Sequence, residues 1–294
     1  MASNSEKTQV SVVLGSYNRK RFLKAAIQSI RNNGISVPYE IIVVDGGSTD
    51  GTMRWLNKQK DVITIVQHNR GSFRGQPVET RTWGSFMNLG FKCARGRFIL
   101  MISDDTLLLP GAAMSALEHY EKLQAQGGNI GAIAFYWREW PQEQEYKVGL
   151  TLGDRMFVNH GMFLREALEE IGWVEEESFQ FYYADVDLCQ KLWQRGYEVV
   201  DCPAALVEHF RHINREVRRQ NLQNESSDRA AYLEKWGGEY FDPEKHATGR
   251  WIYCEYNDSH KMAKKFPKIN VYVARILLIL EEIKKKFTNS MQVL

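Results

Sequence analysis

Two adjacent carboxylates, Asp104 and Asp105, follow the apolar run Phe98-Ile-Leu-Met-Ile102 with only Ser103 between. Adjacent carboxylates repel, so a pair at a strand end suits a hard divalent cation or a hydroxyl-rich ligand. An exposed Asp-Asp turn is the plain alternative. A second polar block, Asp45-Gly-Gly-Ser-Thr-Asp-Gly-Thr52, follows Ile41-Ile-Val-Val44. Its glycines let backbone approach a ligand, and its Ser, Thr and Asp side chains offer donors and acceptors. A tight turn with a capped helix start would use the same residues. The block is not a P-loop, because the Gly-Lys-Ser/Thr ending is missing, and it is not GxGxxG. Asp185 and Asp187 open a helix-patterned stretch at residues 184–196. Their i, i+2 spacing puts them on different faces, so one can face a cleft while the other caps or pairs. Acidic residues in a first turn also simply suit the helix dipole. His209 follows the apolar residues 204–207, and an imidazole there is either a cation ligand or a surface side chain. Arg211, Arg215, Arg218 and Arg219 come next, as a phosphate contact or a solvated face.

Elements must bring these clusters together. Val10-Ser-Val-Val-Leu14 is a β-branched run ending in Gly15-Ser16-Tyr17-Asn18-Arg19. Residues 21–31 have helical spacing, 41–44 and 62–66 read as strands, 67–80 as a loop, 83–94 as a helix and 97–102 as a strand. Alternating helices and uninterrupted apolar strands predict a buried parallel sheet covered on both faces. Ligands bind at the carboxyl ends of such strands. The loops at 15–19, 45–52 and 103–106 then share one edge. In the second half, 130–137 and 147–152 read as strands around a turn at Pro141, 161–171 and 184–196 as helices, and 197–200 as a strand. Residues 209–219 read as a polar loop. No periodicity places 236–260, and no internal repeat is visible.

Composition narrows the class. Of 294 residues, 44% are hydrophobic and 25% charged, which is ordinary for a globular chain and excludes a fibre or a disordered tail protein. The net charge of +2 gives no bulk attraction for nucleic acid. Cys93, Cys189, Cys202 and Cys254 form no CxxC pair, which fits a reducing compartment better than a disulfide scaffold. Residues 1–9 carry no apolar signal-like run, and no run of about 20 apolar residues occurs. A cytoplasmic location, peripheral at the inner face of the cell membrane, is the expectation. It rests on residues 261–287, where eight Lys or Arg and two Glu bracket an apolar stretch too short to span. That tail suits a helix lying on an anionic membrane surface, or one packed on protein.

Four segments in order, VSVVLGSYNR (10–19), IIVVDGGSTDGT (41–52), ARGRFILMISDDT (94–106) and YYADVDLCQKLWQRGY (182–197), resemble an inverting family 2 glycosyltransferase with a GT-A fold. Residues 161–165 and 171–173 also resemble the segment before the catalytic helix, so the resemblance covers residues 8–215. It implies an α/β fold, Rossmann-like in nucleotide binding, with a mostly parallel central sheet and a C-terminal helical extension. The implied divisions are a donor half at 8–106, an acceptor and catalytic half at 107–215, an extension at 216–260 and the basic tail at 261–294.

Roles follow by position. Tyr17 would pack on the donor base, beside Gly15, Ser16 and Arg19, with Asp45 and Gly46 in the nucleotide-binding turn. Arg81 and Asn88 lie in the donor-side helix region. Asp105 would bind Mn2+ or Mg2+, Asp104 the ribose or the metal, and His209 the metal or diphosphate. Arg211, Arg215 and Arg218 would close over the diphosphate, and Asp185 would be the catalytic base. His160, Trp173 and Tyr182 are acceptor-side candidates, as are Trp137, Trp140 and Phe181, and each is equally plausible as core. Relatives often carry two acidic residues where Asp45-Gly46 stands, and Glu-Asp where Ala184-Asp185 stands. The donor base therefore stays unassigned among UDP-, dTDP- and GDP-linked sugars. The expected acceptor is a glycan or lipid-linked hydroxyl. Two rivals remain at this stage. A nucleotidyltransferase making sugar nucleotides needs a glycine-rich loop with Arg and Lys, which residues 14–24 only partly imitate. A non-catalytic nucleotide- or sugar-binding module needs no Asp185.

Overall fold

The computed structural model describes residues 7–140, 143–210, 219, 221–238 and 250–254. In chain order the first half reads β1 (Val10–Ser16), α1 (Lys20–Arg31), β2 (Tyr39–Asp45), α2 (Thr52–Leu56) and β3 (Val62–Val66). A small hairpin of β4 (Ser72–Phe73) and β5 (Gln76–Pro77), then α3 (Trp83–Cys93) and β6 (Phe98–Met101), complete it. The apolar runs that predicted strands become one parallel block in the order β6-β1-β2-β3. Alternation along each strand builds two cores. Val13, Ile42, Val44, Ile99 and Met101 face one side, against α3. Val12, Leu14, Ile41, Val43 and Leu100 face the other, against α1.

The second half contains β7 (Thr106–Leu108), α4 (Ala112–Ala125), β8 (Ile130–Glu139), β9 (Tyr146–Thr151), β10 (Arg155–Phe157) and β11 (Gly161–Leu164). It continues with α5 (Arg165–Glu170), α6 (Ala184–Gln194), β12 (Glu198–His209), α7 (Glu225–Trp236) and β13 (Arg250–Cys254). Here the sheet is mixed. β11 lies antiparallel between β6 and β8, so β8 runs parallel to β6. β12 runs parallel along β8 with register shifts, one between Cys202 and Leu206 around Pro203. β9, β10 and β13 add antiparallel pairs at the far edge. The parallel expectation thus holds for β1, β2, β3 and β6, and the sheet as a whole is mixed. The helical extension is also part strand: α7 is followed by β13, which pairs with β9 within the previously unplaced 236–260.

The helix predicted over 161–171 is the main correction among the elements. Gly161–Leu164 is instead a buried central strand, and only Arg165–Glu170 is helical. A four-residue apolar run has no period to betray it, and its strand state is imposed by β6 and β8 on either side. The strand predicted at 197–200 extends to His209 because β8 offers a full-length edge. The consequence for chemistry is geometric. β1, β2, β6, β8 and β12 all end on the same edge of the sheet.

Candidate active site

Two loops at that edge are knitted into one floor. Asn18 stands at φ 52°, a conformation Asn tolerates better than most residues. Its Oδ1 accepts the Thr49 amide at 2.7 Å, and its own amide donates to Ser48 Oγ at 2.8 Å. Asp50 accepts the Lys20 amide at 2.9 Å and the Thr52 amide, the first of α2, at 3.0 Å. The Tyr17 ring lies over Gly46, where an added Cβ would meet it at 3.2 Å. Across the ring, its hydroxyl reaches Gly71, where a Cβ would sit 3.0 Å away. Both glycines therefore leave room for the ring expected to take the donor base.

Asp104 and Asp105 sit in the turn between β6 and β7, closed by Thr106 Oγ1 donating to the Ser103 carbonyl at 2.7 Å. Arg19, just before α1, spans both: Nη1 donates to Asp104 Oδ1 at 2.9 Å and to Asp105 Oδ2 at 2.8 Å. Phe210 donates its amide to the Asp105 carbonyl at 2.8 Å, which docks the end of β12 on this turn. His209 Nε2 consequently lies 3.5 Å from Asp105 Oδ1, and its Nδ1 lies 3.4 Å from Glu139 Oε2 at the end of β8. Burial works against charge on His209, but Asp105 and Glu139 outweigh it and raise its pKa to about 10. Burial drives the Asp104 carboxyl above its ordinary range. Burial also opposes the charge on Asp105, yet Arg19 and His209 overcome it and hold that group well below the usual range. The pair is thus a buried anionic spot compensated by a guanidinium and an imidazolium.

Asp185 opens α6 on the other side of this turn. Its Oδ2 accepts from Asn159 Nδ2 at 3.2 Å, and its Oδ1 from the Val186 amide at 3.0 Å. Burial raises its pKa above 3.8, with those two bonds opposing. The neighbour of Asn159 is His160, whose Nε2 lies 3.1 Å from Ser103 Oγ. Burial, then the charge of His209, pushes the His160 pKa down to about 3, so its ring is neutral. A short chain of contacts, Asp185–Asn159–His160–Ser103, therefore joins the α6 carboxylate to the Asp104-Asp105 turn.

Other expected site residues are placed differently. Asp45 is fully buried, and its carboxylate is used by its own turn, accepting the Gly47 and Ser48 amides and Ser48 Oγ at 2.7–2.9 Å. It shapes the loop. The buried Asn88 amide ties α3 to Val174 and Glu176. Trp173 packs against the α3-side core at φ 65°, the core reading left open for it, and its carbonyl is held by Lys191 at 2.6 Å. Arg81 is exposed, with its backbone clamped by the Asn69 amide. Gly15 keeps space for Met87 and Phe86 of α3, 3.0 and 3.1 Å from where a Cβ would stand. Ser16 is buried and accepts the Gly46 amide on its carbonyl at 2.8 Å. Tyr182 is half-buried three residues before Asp185, and Phe181 packs edge-on to it. Trp137 and Trp140 are buried, Trp137 lying 5.8 Å from His209 between ring centroids. Arg211, Arg215 and Arg218, the Pro141 turn and the tail at 261–294 lie outside the described residues.

Sequence reasoning missed Glu139 and Asn159. Both are detectable only once β8 and β12 are known to end beside β6, because neither stands in a patterned motif.

The donor set here is two carboxylates and an imidazole, and Asp104 Oδ2 is buried with no hydrogen-bond partner. Among the described residues no three His, Cys, Asp or Glu converge as a complete metal cage. Oxygen-rich partial shells of this kind suit Mg2+ or Mn2+ when substrate phosphates supply the remaining ligands. The residues therefore fit such a cation, provided Arg19 yields one carboxylate oxygen and the His209 imidazolium gives up its proton to the entering ion.

Comparison with known proteins adds a second line of evidence. Residues 11–172 match the family model described as glycosyl transferase family 2. A curated relative, the GalNAc(5)-diNAcBac-PP-undecaprenol beta-1,3-glucosyltransferase of Campylobacter jejuni, is 32% identical over 111 residues, covering 37% of this chain and 34% of its own. The mannosyltransferase PcManGT from Pyrobaculum calidifontis, solved with GDP-Man and Mn2+, superposes with a TM-score of 0.54 at 18% identity, covering 78% of this chain and 65% of its own. Staphylococcus aureus TarS solved with UDP gives 0.52 at 16% identity, covering 77% and 66%. The chain spans less than half the length of the curated relatives it matches. These superpositions establish the GT-A fold.

Proposed function

The chain belongs to glycosyl transferase family 2, and on that premise we propose that it moves a hexose from a nucleoside-diphosphate sugar to an acceptor hydroxyl with inversion. One observation carries the proposal. Asp185 and the Asp104-Asp105 turn face the same sheet edge, joined through Asn159 and His160. A base and an anion-neutralising site are the two things such a displacement needs. Family membership weighs against a nucleotidyltransferase, and the Asp185 placement weighs against a pure binding module.

The chain's own groups would divide the work. The floor formed by Tyr17, Gly46 and the 45–52 turn would seat the nucleoside. Asp185 would take the proton of the acceptor hydroxyl as that oxygen attacks the anomeric carbon and the nucleoside diphosphate departs from the opposite side. A base is favoured by a pKa lifted toward the working pH, and burial lifts that of Asp185. Asp105, Asp104 and His209 would hold Mg2+ or Mn2+, which when bound neutralises charge on the departing diphosphate. Arg211, Arg215 and Arg218 would close over that diphosphate and exclude water. Relatives supply the substrate classes: PcManGT was solved with GDP-Man and Mn2+, TarS with UDP, and the Campylobacter enzyme is named for an undecaprenol-linked acceptor. A lipid-linked or other glycan acceptor in polysaccharide or glycolipid assembly follows, with the basic 261–294 tail against an anionic membrane face. The domain divisions at 215 and 260 are kept as part of this proposal.

Calorimetry with UDP-, dTDP- and GDP-sugars, each with Mn2+ and with EDTA, tests it. Binding of one donor class that EDTA weakens at least tenfold is expected. Folded protein that binds none of them, with or without anionic vesicles, contradicts the proposal.

A further inference from the structure

We propose that the segment at residues 221–238, beyond the family match, is a working part of the active site, and that Asp228 is a positioning residue for Asp185. The inference rests on the reading of Asp185 as the base. Asp228, on the first turn of α7, is 1% exposed. Its Oδ1 accepts the Gln180 amide, and its Oδ2 accepts the Phe181 and Tyr182 amides, each at 2.9 Å. Three amides converging on one buried carboxylate form a strong, directional clamp. The clamped residues lead straight into α6. Tyr183, at φ 64°, turns the chain into the helix with no side-chain cap of its own, and Asp185 follows two residues later.

The rest of α7 grips α6 from the same face. Residues 228, 232 and 235–236 lie on one side of the helix. The Tyr232 ring stacks on Tyr183 at 5.2 Å between centroids. Its hydroxyl meets Thr151 Oγ1 at 2.6 Å and Gln190 Nε2 at 3.2 Å. Trp236 Nε1 donates to Asp187 Oδ1 at 2.8 Å, and Lys235 Nζ lies 2.7 Å from the same oxygen. Asp187 is two residues from Asp185, on the opposite side of α6. Holding Asp187 against α7 therefore fixes the rotation of α6 and turns Asp185 toward Asn159 and the cleft. The Asp228 clamp fixes the position of that turn along the helix axis. Neither contact touches the donor floor.

The proposal separates positioning from plain folding, because a misplaced base costs turnover without costing donor binding. Displacements of about 1 Å reduce turnover by about 10²-fold. Asp228→Asn keeps the volume but presents an amide N–H to backbone donors. It is made in the full chain, with Trp236→Phe as a milder second variant. UDP-glucose, UDP-N-acetylglucosamine and GDP-mannose are supplied with Mn2+, and release of the nucleoside diphosphate is followed. The expected result is a kcat about 10–100-fold lower, an unchanged donor dissociation constant by calorimetry, and faster hydrogen exchange at amides 180–187 but not in β1 or β2. Wild-type kcat in both folded variants overturns the brace. Loss of donor binding in step with kcat overturns it too, since that pattern marks general destabilisation. A wild-type protein that turns over no UDP-, dTDP- or GDP-sugar, with water or an added glycan as acceptor, contradicts the proposed function itself, while the exchange measurement still decides whether Asp228 holds residues 180–187.

Discussion

At the residue scale, the site is a balance of buried charges, and on the proposed reading the charge state of Asp185 sets the rate. A base works only when ionised. Burial raises its pKa above 3.8, so the ionised fraction falls as pH drops through that higher value. The acid limb of kcat is therefore expected above pH 3.8, with a plateau beyond it. Asp185→Asn is expected to lower kcat about 10²–10⁴-fold while leaving donor affinity unchanged, read by steady-state turnover and calorimetry. Wild-type turnover in that variant removes Asp185 from the mechanism. Asp104, Asp105, Asp185 and His209 stood out in the sequence because each follows an apolar run or opens a patterned helix, although turns, helix dipoles and surfaces use the same residue types. Asn88 and Trp173 read either way, because an amide or an indole serves a core as readily as a ligand. Nothing in the chain order showed that Arg19 would bridge both carboxylates, since that contact spans 85 and 86 residues.

At the element scale, close packing holds the site edge in register. Helix α3 crosses β1 and β2 at Gly90, where an added Cβ would lie 2.6 Å from Val13 Cγ1 and 3.0 Å from Val44 Cγ2. Both valines are fully buried and have no room to retreat. Gly90→Ala gains about 1 kcal/mol of helix propensity but overpacks this contact, at a cost of roughly 1–3 kcal/mol. A lower urea midpoint at unchanged slope is expected, and a raised midpoint would contradict the packing account. The first-half elements were legible because apolar runs closed by Gly, Ser and Asp loops mark β1, β2 and β6, and helical spacing marks α1 and α3. Residues 161–164 were not, because a strand of four apolar residues is defined by β6 and β8 rather than by its own pattern. Strand β13 was equally hidden, since Arg250-Trp-Ile-Tyr-Cys254 becomes a strand through its pairing with β9. Asp228 escaped notice for the same reason: its three amide partners lie 46–48 residues away.

At the scale of the whole molecule, one sheet gathers strand ends from both halves of the chain, and a late helix braces the element that carries the base. The parallel block supplies the floor and the Asp104-Asp105 turn, and the mixed second half adds Glu139, His160 and His209 to the same edge. Among the described residues no helix is long and apolar enough to cross a membrane. A displacement by an acceptor oxygen activated at Asp185, with the diphosphate leaving opposite, has one stereochemical outcome. The most direct measurement is a proton NMR time course of donor turnover with Mn2+, recorded early enough to catch the first-formed sugar anomer. An α-linked nucleotide sugar is predicted to give the β product first. Initial formation of the α anomer would contradict a single inverting displacement and the role assigned to Asp185.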